Sequence, residues 1–201
     1  ATADCTGHGV PGAFMSMLGM TLLNEIVIEN EITSPADVLN QLRLGVVKGL
    51  GQLEDNDGQR DGIDLVFCKW ERNSRKLTYA SANEQFVIIE NGQMNIYKGD
   101  KQPAGYHTGA LIPFTEHELV LSEGSLVYTF SDGFQDQFGG DKGDKFKFNR
   151  MKELLSVIST EPLNEQKERL KNQFYTWKNS KDETGHSYEQ IDDVLIFCVK
   201  L

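Results

Sequence analysis

Residues 63–97 read IDLVFCKWERNSRKLTYASANEQFVIIENGQMNIY, and this stretch decides the fold. Three short runs, Ile63–Trp70, Lys76–Ala82 and Gln85–Glu90, are bounded by Asn-Ser, Asn83-Glu84 and Asn91-Gly92. Runs of this length between turn residues are strands, and an Asn-Gly pair between two of them is the strongest short hairpin signal. Met94–Tyr97, Glu116–Leu121 and Ser125–Phe130 continue the series. The middle of the chain is therefore sheet.

Outward from that centre the pattern changes to helix. Ala13–Glu29 is apolar at helical spacing through Phe14, Met17, Leu18, Leu22 and Ile26. Ser34-Pro35 is an N-cap followed by a first-turn proline, and it opens a second helix over Val38, Leu39, Leu42 and Val46. On the other side, helices are expected over Arg150–Ser159 and Asn164–Trp177, with Pro162 between them. Residues 51–62 (GQLEDNDGQRDG), 139–147 (GGDKGDKFK) and 179–190 (NSKDETGHSYEQ) read as polar loops, the second of them mobile. The last element is a strand over Asp193–Leu201. Two helix pairs flanking a run of strands suit a layered α/β (α+β) arrangement, antiparallel sheets packed together with helices outside, better than βαβ alternation. No repeat or linker divides the 201 residues, so one domain is expected.

Composition narrows the function. Apolar residues at 39% and charged residues at 25% are ordinary globular usage, which excludes wholesale disorder. A net charge of −10 excludes a nucleic-acid-binding surface, because a phosphate backbone demands basic residues. Three cysteines, an odd number without CxxC spacing, point to a reducing, cytoplasmic setting. No apolar run reads as reaching the roughly 20 residues of a membrane span.

Three acidic fragments lie where strands meet loops: Asp4 in DCTGHGVPG, Asp132 in SDGFQDQFGG, and Asp192-Asp193 before VLIFCVKL. Carboxylates at strand ends, far apart in sequence, gather hard oxygen ligands for divalent cations. Water on such cations attacks phosphorus, so the residues point to a metal-dependent phosphatase. Gly7-His8-Gly9-Val10-Pro11-Gly12 also satisfies GxGxxG, which leaves a dinucleotide site open as an alternative, with Glu29 near the ribose-binding distance. His8 is a conceivable general acid, while His107, His117 and His186 share no ligand spacing and are expected at the surface.

DCTGHGVPGAFMSMLG, LTYASANEQFVIIENGQ, KQPAG, LVYTFSDGFQDQFGG and QIDDVLIF occur in an order and spacing that resembles the SpoIIE-type serine phosphatases, the bacterial branch of the type 2C metal-dependent (PPM) protein phosphatases. The resemblance implies a four-layer α-β-β-α sandwich and hydrolysis of phosphoserine or phosphothreonine by water held on two Mn²⁺ or Mg²⁺ ions. It implies that Asp4 bridges the ions, that Cys5 offers its main-chain carbonyl, and that Asp132 and Asp192 are further ligands, with Asp193 the fallback. The family's Gly-Gly-Asp strand upstream of the Asp4 motif has no counterpart in these residues. The expectation is thus an N-terminally truncated output domain of a longer signalling protein, weakly active or inactive alone, with an open sheet edge that favours dimers. An upstream sensor and an anti-sigma-factor antagonist as substrate are the partners implied. A catalytically silent phosphatase-like binding module is the alternative.

Overall fold

The computed structural model of the chain describes residues 1–7, 9–52, 61–107, 112–181 and 185–201. In order, the first elements are β1 (Thr2–Cys5), α1 (Gly9–Asn24), α2 (Pro35–Gly49), β2 (Gly62–Glu71), β3 (Lys76–Ala82), β4 (Gln85–Glu90) and β5 (Gln93–Lys98). They continue with β6 (Ala104–Gly105), β7 (His117–Val120), β8 (Leu126–Phe130), α3 (Gly133–Asp136), β9 (Phe138–Gly139) and β10 (Asp144–Lys145). The last are α4 (Phe148–Ile158), α5 (Leu163–Lys178) and β11 (Ile196–Lys200). The class is α+β, with two main antiparallel sheets. The chain forms two compact units, one of residues 1–86 and 96–123, the other of residues 87–95 and 124–201.

In the first unit the strand order is β1-β2-β3-β7, with β6 added to β2. Ile63 and Leu65 of β2 and Ala80 and Ala82 of β3 share one core with Val38, Leu39, Leu42 and Val46 of α2. Each of those α2 side chains is fully buried, worth roughly 1.5–3 kcal/mol apiece in apolar transfer. Ser34 caps α2 as expected, its Oγ accepting the Asp37 N–H at 3.3 Å. Arg43 lies on the buried face of the same helix. Its guanidinium donates to Gln102 Oε1 (3.0 Å), the Ile112 carbonyl (3.0 Å) and Asn40 Oδ1 (2.9 Å), and it sits over the Phe114 ring. Burial lowers its pKa, with the Asp100 charge opposing.

The first helix departs from the sequence reading. It begins at Gly9 and ends in a π-helical turn over Glu25–Glu29. Gly12, Met15, Gly19 and Ile26 are its buried positions, whereas Phe14 and Met17, two of the apolar positions at helical spacing, are 67% and 66% exposed. The helix is apolar nearly all round, so periodicity could not say which side faces inward. Gly9–Glu29, 21 residues, is also long and apolar enough to cross a membrane by length and composition, which corrects the expectation that no run reaches that length. The polar breaks at Ser16, Thr21 and Asn24 disguised it.

The other main sheet has the order β11-β8-β4-β5. Val87, Tyr128 and Phe130 of this sheet pack with Met151, Leu155 and Ile158 of α4 and with Leu170 and Phe174 of α5. Tyr128 is fully buried, and its hydroxyl donates to Gln166 Oε1 at 2.5 Å. The stretch read as a mobile loop, 139–147, instead carries the β9–β10 pair (Asp144 opposite Gly139). Trp177 explains the order. Its Nε1 donates to the Gln137 carbonyl at 3.0 Å, and a Cβ on Gly139 would stand 2.1 Å from the Trp177 carbonyl oxygen. The last strand starts at Ile196, three residues later than expected: just before it, the Asp193 carbonyl and the Leu195 N–H bond the Ser131 side chain.

Every strand pairing among the described residues is antiparallel, apart from one isolated bridge between Ala82 and Asp100. A dinucleotide-binding fold needs parallel strands joined through helices, so that alternative fails. The glycines of residues 7–12 make a tight turn into α1: Gly7 and Gly9 have φ of +91° and +66°, and a Cβ on Gly12 would lie 2.6 Å from the Gly7 carbonyl oxygen.

Candidate metal centre

Asp4 stands on β1, half-buried, at the exit towards the glycine turn. The antiparallel register sets it directly opposite Asp64 of β2, and Cys5 opposite Ile63. Thr6 holds the end of this ladder, its N–H donating to the Gly62 carbonyl at 3.1 Å and its Oγ1 at 2.8 Å. Ladder pairs alternate, so Asp4 and Asp64 form the next hydrogen-bonded pair, with Cα atoms roughly 5.5 Å apart and side chains on one face. The alternate residues Ala3, Cys5, Ile63 and Leu65 turn to the helix-side core. Asn83 Nδ2 donates to Asp64 Oδ1 at 2.9 Å. Burial pushes the Asp64 carboxyl above the usual range, and the Asn83 hydrogen bond pulls it back in part.

In the second unit, Asp132 follows β8 and sits at the N-cap position of the short α3. Gly133 explains why SDG and IDD are coupled. A Cβ there would lie 2.2 Å from the Asp193 carbonyl oxygen and 3.4 Å from Asp192 Cβ, so only glycine lets the Asp192-Asp193 backbone come this close to Asp132. Ser131 fastens the same approach: its Oγ donates to the Asp193 carbonyl at 3.2 Å and accepts the Leu195 N–H at 3.0 Å. Asp192 is half-buried and Asp193 exposed, which favours Asp192 as the inward member of the pair. Its Oδ1 accepts the Asp193 N–H at 2.9 Å.

The acids thus stand as neighbours two by two, Asp4 with Asp64 in the first unit and Asp132 with Asp192 in the second. Among the described residues no three His, Cys, Asp or Glu side chains are gathered closely enough to hold an ion. The donors present are carboxylate oxygens, the class that Mn²⁺ and Mg²⁺ prefer, so the chemistry of each pair fits such a cation. The pairing of Asp64 with Asp4 could not be read from the sequence, because an acid within IDLVF reads as the polar half of a strand alternation.

The remaining candidates carry no such chemistry. His8 lies outside the described residues. His117 stacks on Tyr79, ring centroids 4.9 Å apart, His107 is half-buried, and His186 is exposed. All three thiols are free. Burial holds Cys68 and Cys198 up at about 11, which leaves them un-ionised near neutrality.

Residues 1–201 match the family model for Stage II sporulation protein E (SpoIIE). Among solved structures, the SiaA-PP2C domain of Pseudomonas aeruginosa is 27% identical, with a TM-score of 0.80 over 99% of this chain and 74% of that one. The PP2C phosphatase domain of SpoIIE from Bacillus subtilis, solved with a fragment of its regulatory domain, is 16% identical with a TM-score of 0.68. That alignment covers 98% of this chain and 52% of the other, so this chain spans about half its length. The catalytic domain of the serine/threonine phosphatase PstP, in complex with two manganese ions, is 16% identical with a TM-score of 0.62, covering 98% of this chain and 84% of that one. No curated protein sequence matches.

Proposed function

Because this chain belongs to the SpoIIE family, we propose that it is a protein phosphatase domain that hydrolyses phosphoserine or phosphothreonine on a protein partner with the help of two Mn²⁺ or Mg²⁺ ions. The observation that carries the reading is the Gly133 approach, which brings Asp132 beside Asp192 although 60 positions separate them (192 minus 132). Nothing in a merely structural turn requires two acids there.

In this reading the carboxylates of Asp4, Asp132 and Asp192 hold the ions, and Cys5 contributes its main-chain carbonyl. When bound, divalent ions of this kind make a water acidic enough to attack phosphorus near neutral pH. The protein's own part is to fix the ligands. Ser131 and Gly133 set the Asp192 backbone against Asp132, and the β1–β2 ladder sets Asp4. No side chain then has to act as a general base. The manganese in PstP supports this choice of cofactor.

The chain is further read as the output module of a longer, cytoplasmic signalling protein, controlled by a sensor that precedes it. The regulatory segment of B. subtilis SpoIIE supports that organisation. Its substrate is read as a small phosphorylated antagonist of an anti-sigma factor.

The test is phosphate release from a phosphoserine protein with added Mn²⁺. Asp132→Asn is expected to lower turnover by about a hundredfold or more, the scale on which losing essential transition-state stabilisation acts, while leaving the melting temperature nearly unchanged. Full turnover in the mutant would refute the ligand assignment. A second reading, a silent phosphatase-like binding module, is favoured by the absence of any three-acid group among the described residues. No phosphate release from the wild-type protein under saturating Mn²⁺ would decide for it.

A further inference from the structure

We infer that Asp64 is a further carboxylate of the cation site, standing beside Asp4 and held there by Asn83. This rests on the reading of Asp4 as a ligand. The first argument is register. Asp4 and Asp64 are direct cross-strand partners, and no other strand position in the β1–β2 ladder pairs two acids (the others are Thr2 with Val66, Ala3 with Leu65 and Cys5 with Ile63). Like charges directly opposite in a sheet destabilise it. A bound cation between or beside them turns that repulsion into binding.

The second argument is that Asp64 is held rather than left to swing away. Asn83 Nδ2 donates to Oδ1 only, and Oδ2 accepts no hydrogen bond among the described residues. Asn83 is itself fixed: its φ is +55°, a left-handed conformation that asparagine tolerates, and its N–H donates to the Asp100 carbonyl at 2.8 Å. The amide therefore orients one carboxylate oxygen and leaves the other available, as partners of metal-binding carboxylates do. If Asp64 served only to tie down the 83–84 turn, a neutral amide would serve as well and would spare the repulsion with Asp4.

The test is calorimetric titration of Mn²⁺ into the full chain, together with melting in the absence of metal. Asp64→Asn is expected to weaken Mn²⁺ binding about tenfold or more, while the metal-free melting temperature stays level or rises because one of two facing charges is gone. Asn83→Gly keeps the left-handed turn but removes the amide, and is expected to weaken binding by about tenfold, the low end for losing the partner of a metal-binding carboxylate. Wild-type affinity in Asp64→Asn would overturn the inference. If that variant melts early without metal, Asn83→Gly decides: unchanged affinity there overturns the proposal, and weakened affinity sustains it. Failure of the wild-type chain to bind Mn²⁺, or binding unaffected by Asp4→Asn, would instead bring down the metal reading itself.

Discussion

Arg43 is a cation in a core, and it is tolerable only because three neutral oxygens surround it. It is 6% exposed, and its removal leaves Gln102 Oε1 without a donor, whereas the Ile112 carbonyl keeps Gln102 Nε2 and Asn40 Oδ1 keeps the Phe114 N–H. Arg43→Met is therefore expected to cost about 1–3 kcal/mol, the scale of one unsatisfied buried acceptor, and urea denaturation would read it. Arg43→Lys should recover only part, since an ammonium cannot reproduce the planar fork that reaches all three. Nothing in QLRLGVV announced this role. An arginine on an amphipathic helix reads as solvated until Gln102, Ile112 and Phe114 are seen folded over it. The pairing of Asp64 with Asp4 was hidden for a related reason: it depends on what stands across the ladder, and register is not written in a strand's own residues. Asp4, Asp132 and Asp192 stood out as candidates because each lies where a strand meets a recognisable turn.

Elements whose sequence carries a strong local signal matched their expected bounds. Lys76–Ala82 and Gln85–Glu90 form the strands read for them, closed by the Asn91-Gly92 turn with φ of +50° and +76°. The helix from Gly9 did not yield its inward face, since apolar residues on every side erase the period that would mark one. The glycines at 139–140 suggested slack, yet they are there because Trp177 leaves no space for a side chain. Gly133 belongs with them, joining α3 to the approach of the last strand. Gly133→Ala is expected to cost about 1–3 kcal/mol through crowding and also to weaken Mn²⁺ binding, because the added methyl pushes Asp192 from Asp132. Melting and metal titration on the same sample would check both, and loss of stability with full metal affinity would contradict the second.

For the whole molecule two half-buried thiols set an alkaline limit. Cys68 and Cys198 are raised from 9.0 to about 11 by burial. In the unfolded chain they ionise first, so between about pH 9 and 11 the native state holds more protons and stability falls as pH rises. Denaturation midpoints are expected to decline across that window, and a Cys68→Ala, Cys198→Ala double variant should decline less steeply. An identical slope would show that other groups dominate. At this scale the class was legible, because the order of helix pairs and strands is itself a layer pattern. The two-unit partition was not, since it cuts through the β4–β5 hairpin, where the sequence shows only a continuous sheet.

The wide turn at Glu25–Glu29 has a lasting consequence for how this chain can vary. A π-turn carries one residue more than an α-turn, so it acts as an expansion joint: the helix can lose a residue there and keep every upstream side chain on its present side. The same deletion between Gly12 and Gly19 would swing the following residues by about 100°, so that Gly12 and Gly19 would no longer both lie on the buried side.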